Sequence, residues 1–128
     1  AETRSLREVL TPGRDLMHPM WARSLHPLGE DRSLHHGALA FLSDLCTLWL
    51  ARIPAAEAHP DRDFGATTTL NHTLWLHRAL RADDWLRFDG MPASFQDARG
   101  LAIGAIHRSD GALVATFAQE ALHRFALD

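Results

Sequence analysis

The clearest pattern of hydrophobic and polar positions lies between residues 31 and 52. Apolar side chains recur there every three or four residues, which is the spacing of one helix face. Asp31 directly precedes the pattern and suits the N-cap of a helix. We therefore predict one long helix of about six turns at 3.6 residues each. Its predicted buried face consists of Leu34, Ala38, Phe41, Leu42, Leu45, Leu48 and Trp49.

Three further apolar residues widen this face, so we predict a helix that is buried on most sides. They are Leu39, Cys46 and Leu50, and the narrow strip predicted to face solvent lies around His36, Ser43 and Thr47. Cys46 is the only cysteine in the sequence and cannot form an internal disulfide. In such an apolar helix we interpret it as a small core residue rather than a nucleophile.

Beyond the helix the period changes to two, which is typical of a β-strand. Residues 67–78 alternate between two faces: Leu70, Leu74 and Leu76 form one, and Thr67, Thr69, Asn71 and Thr73 form the other. Residues 84–91, 99–108 and 112–125 follow as predicted strands, with a tight-turn signal at residues 109–111. Residues 16–28, before the helix, predict an irregular short or edge strand because they contain two prolines.

This order of elements predicts an α+β fold. Successive strands with short connections pair antiparallel, and one long helix covers the apolar face of the resulting sheet. The 128 residues fit one domain with one core. Residues 1–13 are polar and end in a turn signal, so we predict an N-terminal arm there and the domain over residues 14–128.

Two polar residues are directed at the predicted core. Asp44 lies in the most apolar part of the helix, and Gln119 lies among the apolar odd positions of the last strand. Burial of either group costs free energy unless partners compensate, so we expect the two side chains to meet. Taken singly, Asp44 also fits a surface carboxylate paired with an arginine, Gln119 a satisfied core amide, and Thr69 an ordinary strand residue.

Several segments in order resemble the acyl-CoA thioesterase II family, in the C-terminal half of its double hot-dog proteins. They are Ser43-Asp44-Leu45, the run from Thr69-Leu70-Asn71-His72 to Arg78, Asp110-Gly111-Ala112, and Gln119-Glu120, with Arg99-Gly100 and Trp21-Ala22-Arg23 as further matches. The resemblance implies a single hot-dog fold, in which an antiparallel β-sheet wraps around one long central α-helix. It also implies hydrolysis of acyl-CoA thioesters to free fatty acid and CoA.

The same resemblance implies a set of site residues. Asp44, Thr69 and Gln119 match the three family positions that hold a water, with Asp44 as the base. His72, Arg78 and Arg99 are weaker candidates for substrate binding. Asn71 departs from the pattern, because the family usually has Asp before this His.

Family members carry two hot-dog halves in one chain, and this sequence matches only the second. The resemblance therefore implies a homodimer or pairing with a second half, which would complete the site. The alternative is a non-catalytic acyl-binding or dimerisation module. A hot-dog enoyl hydratase is a weaker rival, because the Asp and His signature expected of it is not evident.

Composition restricts the remaining function classes. The formal net charge is −3, and the 13 basic residues, all arginines, are scattered singly, which argues against a nucleic-acid surface. No apolar run approaches the roughly 18 residues of a membrane span, so we expect a cytoplasmic protein. The nine histidines lack the spacing of a zinc site, and we expect no metal and no cofactor.

Overall fold

Six strands and one α-helix make up the part of the chain that the computed structural model describes, residues 2–5, 18–54, 61 and 64–125. In chain order they are β1 (Glu2–Ser5), β2 (His18–Arg23), α1 (Arg32–Thr47), β3 (Phe64–Leu76), β4 (Leu86–Gln96), β5 (Arg99–Arg108) and β6 (Leu113–Phe125). The strands form one antiparallel sheet in the order β1-β2-β4-β5-β6-β3. One helix against an antiparallel sheet confirms the α+β prediction.

The helix begins where the sequence predicts. The Asp31 side chain accepts a hydrogen bond of 2.9 Å from the backbone N–H of Ser33, so it satisfies one of the free donors of the first turn. The α-helix ends earlier than predicted, at Thr47, and a 3₁₀ segment (Leu48–Arg52) continues the chain. Asp44 therefore lies in the last turn of α1.

The predicted buried face of α1 is wrong in part. Leu34, Phe41 and Leu45 are 53 %, 64 % and 53 % exposed in the single chain. Ser43 and Thr47, predicted to face solvent, are buried against the sheet with Leu39, Leu42 and Cys46. The helix is rotated in this way because the inner face of the sheet presents polar groups, which pair with the polar strip of the helix.

A β-bulge explains why the predicted faces of β3 also differ. Thr69 pairs with Ala121 and Asn71 with the next residue, Glu120, so Leu70 is an extra residue in β3. Alternation changes phase at this point, and Leu70 is 47 % exposed.

Strand β4 is longer than predicted and forms a tight hairpin with β5. Gln96 pairs with Arg99, so the loop consists of only Asp97 and Ala98. Their φ angles are 53° and 61°, as a two-residue loop with left-handed backbone requires.

The core lies between the inner face of the sheet and the helical segments. Its largest fully buried apolar side chains are Phe88, Phe117, Leu39, Leu42, Leu50, Leu86 and Ile106. The 3₁₀ segment lies directly on β5 at Gly100, where an added Cβ would lie 2.1 Å from the carbonyl oxygen of Ala51. A glycine is therefore needed for this close approach.

The N-terminal region contributes to the sheet. Glu2–Ser5, which the sequence analysis placed in an arm, pairs with β2 as the edge strand β1. The other residues of the predicted arm, 1 and 6–13, lie outside the described residues, so the division into an arm and a domain stays a prediction. Among the described residues, no helix is long and apolar enough to cross a membrane.

Candidate active site

Asp44 receives two hydrogen bonds from the sheet. The Thr69 hydroxyl donates to Asp44 Oδ1 over 3.1 Å, and Gln119 Nε2 donates to the same oxygen over 2.5 Å. The two donors are themselves linked, because Gln119 Nε2 lies 3.0 Å from Thr69 Oγ1. The structure thus brings together the three residues predicted to hold a water, and they contact one another directly.

Thr47 fixes the orientation of the Gln119 carboxamide. Its hydroxyl lies 2.7 Å from Gln119 Oε1 and 2.6 Å from the carbonyl oxygen of Ser43, one turn earlier in α1. Both Thr47 and Gln119 are buried. Because the carbonyl end of the amide accepts from Thr47, its NH₂ group is directed at Asp44 and Thr69.

Ser43 and His72 form a second polar contact beside Asp44. The Ser43 hydroxyl is hydrogen-bonded to His72 Nε2, and the imidazole stacks on Phe117 with 6.5 Å between ring centroids and 14° between ring planes. Burial lowers the pKa of His72, whereas the charge of Asp44 and a hydrogen bond with Gln119 oppose that shift. The imidazole is therefore predominantly neutral near pH 7.

The two arginine candidates lie away from Asp44 in the single chain. Arg78 follows β3 and donates from Nη1 to the carbonyl oxygen of Leu113 over 2.8 Å. The end of β3 at Leu76 is seven residues beyond Thr69, which at about 3.3 Å per residue is roughly 20–25 Å, and Arg78 follows two residues later. Arg99 is next to the inward-directed Gly100 and lies on the outer face of the sheet, where it lines a shallow pocket with Glu120. Their proposed contacts with substrate stay predictions.

Sequence reasoning missed Ser43 and Thr47 as members of the site. They recur at i and i+4 in α1, and the helix pattern alone assigns them to solvent. The signal that could have identified them is Gln119, because a buried carboxamide requires partners from the element packed on it. Asn71, the departure from the family pattern, is exposed and donates to Glu120 over 3.1 Å.

A family model described as the acyl-CoA thioesterase C-terminal domain matches residues 8–123 of the sequence. The chain belongs to this family. Membership in the acyl-CoA thioesterase C-terminal domain family confirms the resemblance inferred from the sequence, including its assignment to the second half of the longer proteins.

Curated relatives extend the comparison. Human acyl-coenzyme A thioesterase 8 is 32 % identical over 105 residues, which are 81 % of this chain and 32 % of the human protein. Acyl-CoA thioesterase 2 of Haemophilus influenzae is 30 % identical over 106 residues, or 83 % of this chain and 37 % of that protein. The chain therefore spans about a third of the length of the curated relatives that it matches.

Solved structures agree with the fold. The crystal structure of acyl-CoA thioesterase II TesB2 from Mycobacterium marinum superposes with a TM-score of 0.80 at 35 % identity, covering 98 % of this chain and 49 % of TesB2. A hypothetical thioesterase from Streptococcus pneumoniae, solved with coenzyme A, has a TM-score of 0.69 over 99 % of this chain and 92 % of its own, and at 14 % identity it supports the fold alone. These neighbours confirm the predicted single hot-dog fold.

The described residues contain no group of three or more His, Cys, Asp or Glu side chains that could hold a metal ion. The polar residues that the structure brings together are a carboxylate, two hydroxyl groups from threonines, a carboxamide, and the adjoining Ser43–His72 pair. Such a set can orient a water molecule and accept a proton from it.

Proposed function

We propose that the protein hydrolyses acyl-CoA thioesters to free fatty acid and CoA, with Asp44 as the general base. The observation that carries the proposal is the convergence of Thr69 and Gln119 on one oxygen of Asp44. These bonds fix Oδ1, and no donor from the described residues is bonded to Oδ2 of the half-buried Asp44, so in this proposal Oδ2 is the oxygen that binds water. Family membership supports the thioester as the bond that is cleaved.

In this proposal a water binds at Asp44 Oδ2 and transfers a proton to it as its oxygen attacks the thioester carbonyl carbon. The resulting tetrahedral intermediate collapses, the C–S bond breaks, and the thiolate leaves. A thiol of pKa about 8.5 needs little acid assistance, and the proton on Asp44 can return to the thiolate. A positioned general base accounts for roughly 10²- to 10⁴-fold in rate.

Thr69 and Gln119 orient the carboxylate in this scheme, a different role from the direct water ligands that the resemblance implied. Covalent catalysis by the nearest nucleophiles is disfavoured by their burial. Ser43 is fully buried, and burial raises the pKa of the Cys46 thiol to about 11, so little thiolate forms near pH 7.

We further propose that the site is completed by a second hot-dog half, either another copy of this chain or a separate one. Three features support pairing: the exposed apolar residues Leu34, Phe41 and Leu45 on α1, the position of the 13-residue strand β3 at the edge of the sheet formed by the described strands, and the length of the relatives. Backbone N–H groups at a helix N-terminus of the partner would suit the developing oxyanion. A cytoplasmic location, expected from the sequence, is part of the proposal.

The rival proposal is a non-catalytic acyl-binding or dimerisation module, whose partner half performs the chemistry. This rival is supported by coverage, because the chain spans only about a third of the length of the curated relatives. Both proposals require the exposed helix face to be covered, but only the first requires turnover.

Thiol release from acyl-CoAs of several chain lengths by the purified chain distinguishes the two. We expect Asp44→Asn to lower kcat by roughly 10²- to 10⁴-fold, because the base is lost while the shape is kept. Asp84→Asn is the matched control, since Asp84 is exposed and lies in the segment between β3 and β4 rather than on an element of the site. Equal turnover by wild type and Asp44→Asn would disprove the mechanism, and acyl-CoA binding without turnover would favour the module.

A further inference from the structure

Strand β3 is attached to two consecutive residues of α1. Thr69 donates to Asp44, and His72 is hydrogen-bonded to Ser43. Consecutive helix residues point about 100° apart, so one contact alone leaves the helix free to rotate slightly about its axis. Two contacts, in different directions, fix the rotation of the turn that carries the Asp44 carboxylate.

The bulge at Leu70 makes this double attachment possible. Thr69 and His72 are three residues apart, and in a regular strand they would point to opposite faces. Because Leu70 is an extra residue, both side chains point to the helix, from neighbouring inward positions opposite Ala121 and Gln119.

The surroundings of the imidazole indicate how it is held. His72 stacks on Phe117, and its Nδ1 is buried with no hydrogen-bond partner among the described residues. An unpaired buried acceptor costs less than an unpaired buried N–H, so the proton belongs on Nε2, which donates to Ser43 Oγ. Ser43 is itself fully buried and cannot reach a substrate. The pair is therefore suited to positioning rather than to nucleophilic attack.

We propose that His72 is a positioning residue for the base Asp44 and acts through Ser43. The kinetic test of this role rests on the proposed hydrolysis. The role itself concerns the geometry of the site and can also be tested without activity. Among the groups facing the ring, Asp44 is the charged one, whereas Ser43, Phe117 and Gln119 are uncharged. The lowered pKa of His72 is consistent with a neutral ring that leaves the negative charge of Asp44 uncompensated.

The first test compares kinetics of the full chain in four variants. His72→Phe keeps the stacking but removes the bond to Ser43, Ser43→Ala removes the other partner, and a double variant combines them. His72→Gln restores an N–H near the position of Nε2. His77→Phe is the matched control, because His77 directly follows β3 but is exposed and contacts Thr116 instead.

We expect His72→Phe and Ser43→Ala each to lower kcat about 10- to 100-fold with little change in KM, since a small misplacement of a reacting group is costly. The double variant should be no slower than either single one, because both break the same contact. His72→Gln should recover part of the rate. Turnover by His72→Phe within about twofold of wild type, or additive losses, would overturn the proposal.

A second test does not depend on activity. The side-chain NH₂ protons of Gln119, which donate to Asp44 and Thr69, report the geometry of the site by NMR. We expect their chemical shifts to change in His72→Phe and Ser43→Ala but not in His77→Phe. Unchanged Gln119 signals in His72→Phe would overturn the positioning role even if the enzyme is active. A wild type that hydrolyses no acyl-CoA while these shifts behave as expected would refute the proposed function and leave the positioning role standing.

Discussion

Gln119 is the residue through which the sheet holds two helix residues of the site, Asp44 and Thr47. Its carbonyl end faces Thr47 and its NH₂ end faces Asp44, so one side chain contacts successive turns near the end of α1. A carboxamide with this pattern cannot flip without losing a hydrogen bond at each end. The orientation of the proposed base is thus set by a residue that is itself set by Thr47.

Thr47→Val tests whether the orientation of Gln119 depends on the Thr47 hydroxyl. The replacement keeps the shape but leaves Gln119 Oε1 buried and without its donor, so we expect a loss of about 1–3 kcal/mol in the free energy of unfolding. Urea unfolding measures it. Thr73→Val, at an exposed position of β3, should stay within about 0.5 kcal/mol of wild type. Equal effects of the two substitutions would contradict the role given to Thr47.

Two histidines make stability depend on pH. Burial lowers the pKa of His72, and burial together with the charge of Arg52 lowers that of His123, from the ordinary value of 6.5. Below pH 6.5 the unfolded chain takes up protons that the folded chain binds less tightly. The free energy of unfolding should therefore fall as the pH falls from 6.5 toward the lower pKa values of the folded state.

Urea unfolding at a series of pH values measures this dependence. A variant carrying His72→Phe and His123→Phe should show a flatter profile below pH 6.5, whereas His26→Phe, at an exposed position, should keep the wild-type slope. If the double variant has the wild-type slope, the acid sensitivity has another source.

At the scale of elements, a β-bulge and a tight loop determine which side chains contact each other. The bulge in β3 turns Thr69 and His72 to the same side, and the two-residue loop Asp97–Ala98 sets the register between β4 and β5. Ala98 has a φ of 61°, which an L-residue adopts at a cost and glycine does not.

Ala98→Gly should raise the free energy of unfolding by up to about 1 kcal/mol, because it relieves the left-handed backbone of this loop. Thermal or urea unfolding checks the gain. Ala118→Gly, within β6, should have the opposite sign, since glycine in a strand adds flexibility to the unfolded chain without relieving strain. A loss of stability in Ala98→Gly would argue against the positive φ.

The sequence predicts the positions of the helix and the strands better than it predicts which of their faces pack together. Helical spacing located α1 and its N-cap, and alternation located β5 at its observed bounds, because both follow from local backbone geometry. Alternation could not reveal the extra residue Leu70, since a bulge does not show in the order of polar and apolar residues along a strand. The rotation of α1 was predicted wrongly because Leu34, Phe41 and Leu45 are apolar yet exposed, and a pattern of polarity cannot distinguish a core from an interface.

At the scale of the whole molecule, one side of the domain exposes apolar side chains. The apolar residues Leu34, Phe41 and Leu45 of α1 are exposed, and β3 forms an edge of the sheet with Trp75 half exposed. An apolar helix face of this kind marks an interaction surface. The polar site at Asp44 lies on the same helix, so this face is where the second hot-dog half proposed above would bind.

Phe41→Ser tests the pairing of two domains without a large effect on the folding of one. Because Phe41 is 64 % exposed, the substitution should change the stability of the single chain by less than about 0.5 kcal/mol. It should nevertheless weaken the proposed homodimer, which light scattering measures as a lower mass at equal concentration. Leu25→Ser is the control, at a 53 % exposed leucine outside α1. A wild type that is monomeric at every concentration would leave only a separate second half as the partner.

The strand order also bears on how the protein emerges from the ribosome. Among the described strands, β3 pairs only with β6, and β4 and β5 are synthesised between them. Thr69 therefore precedes Gln119 by about 50 residues, or roughly 2.5–10 s of translation at about 5–20 residues per second. During that interval the nascent chain holds Asp44 and Thr69 without the carboxamide that joins them. The proposed base reaches its working orientation only when the last strand is added.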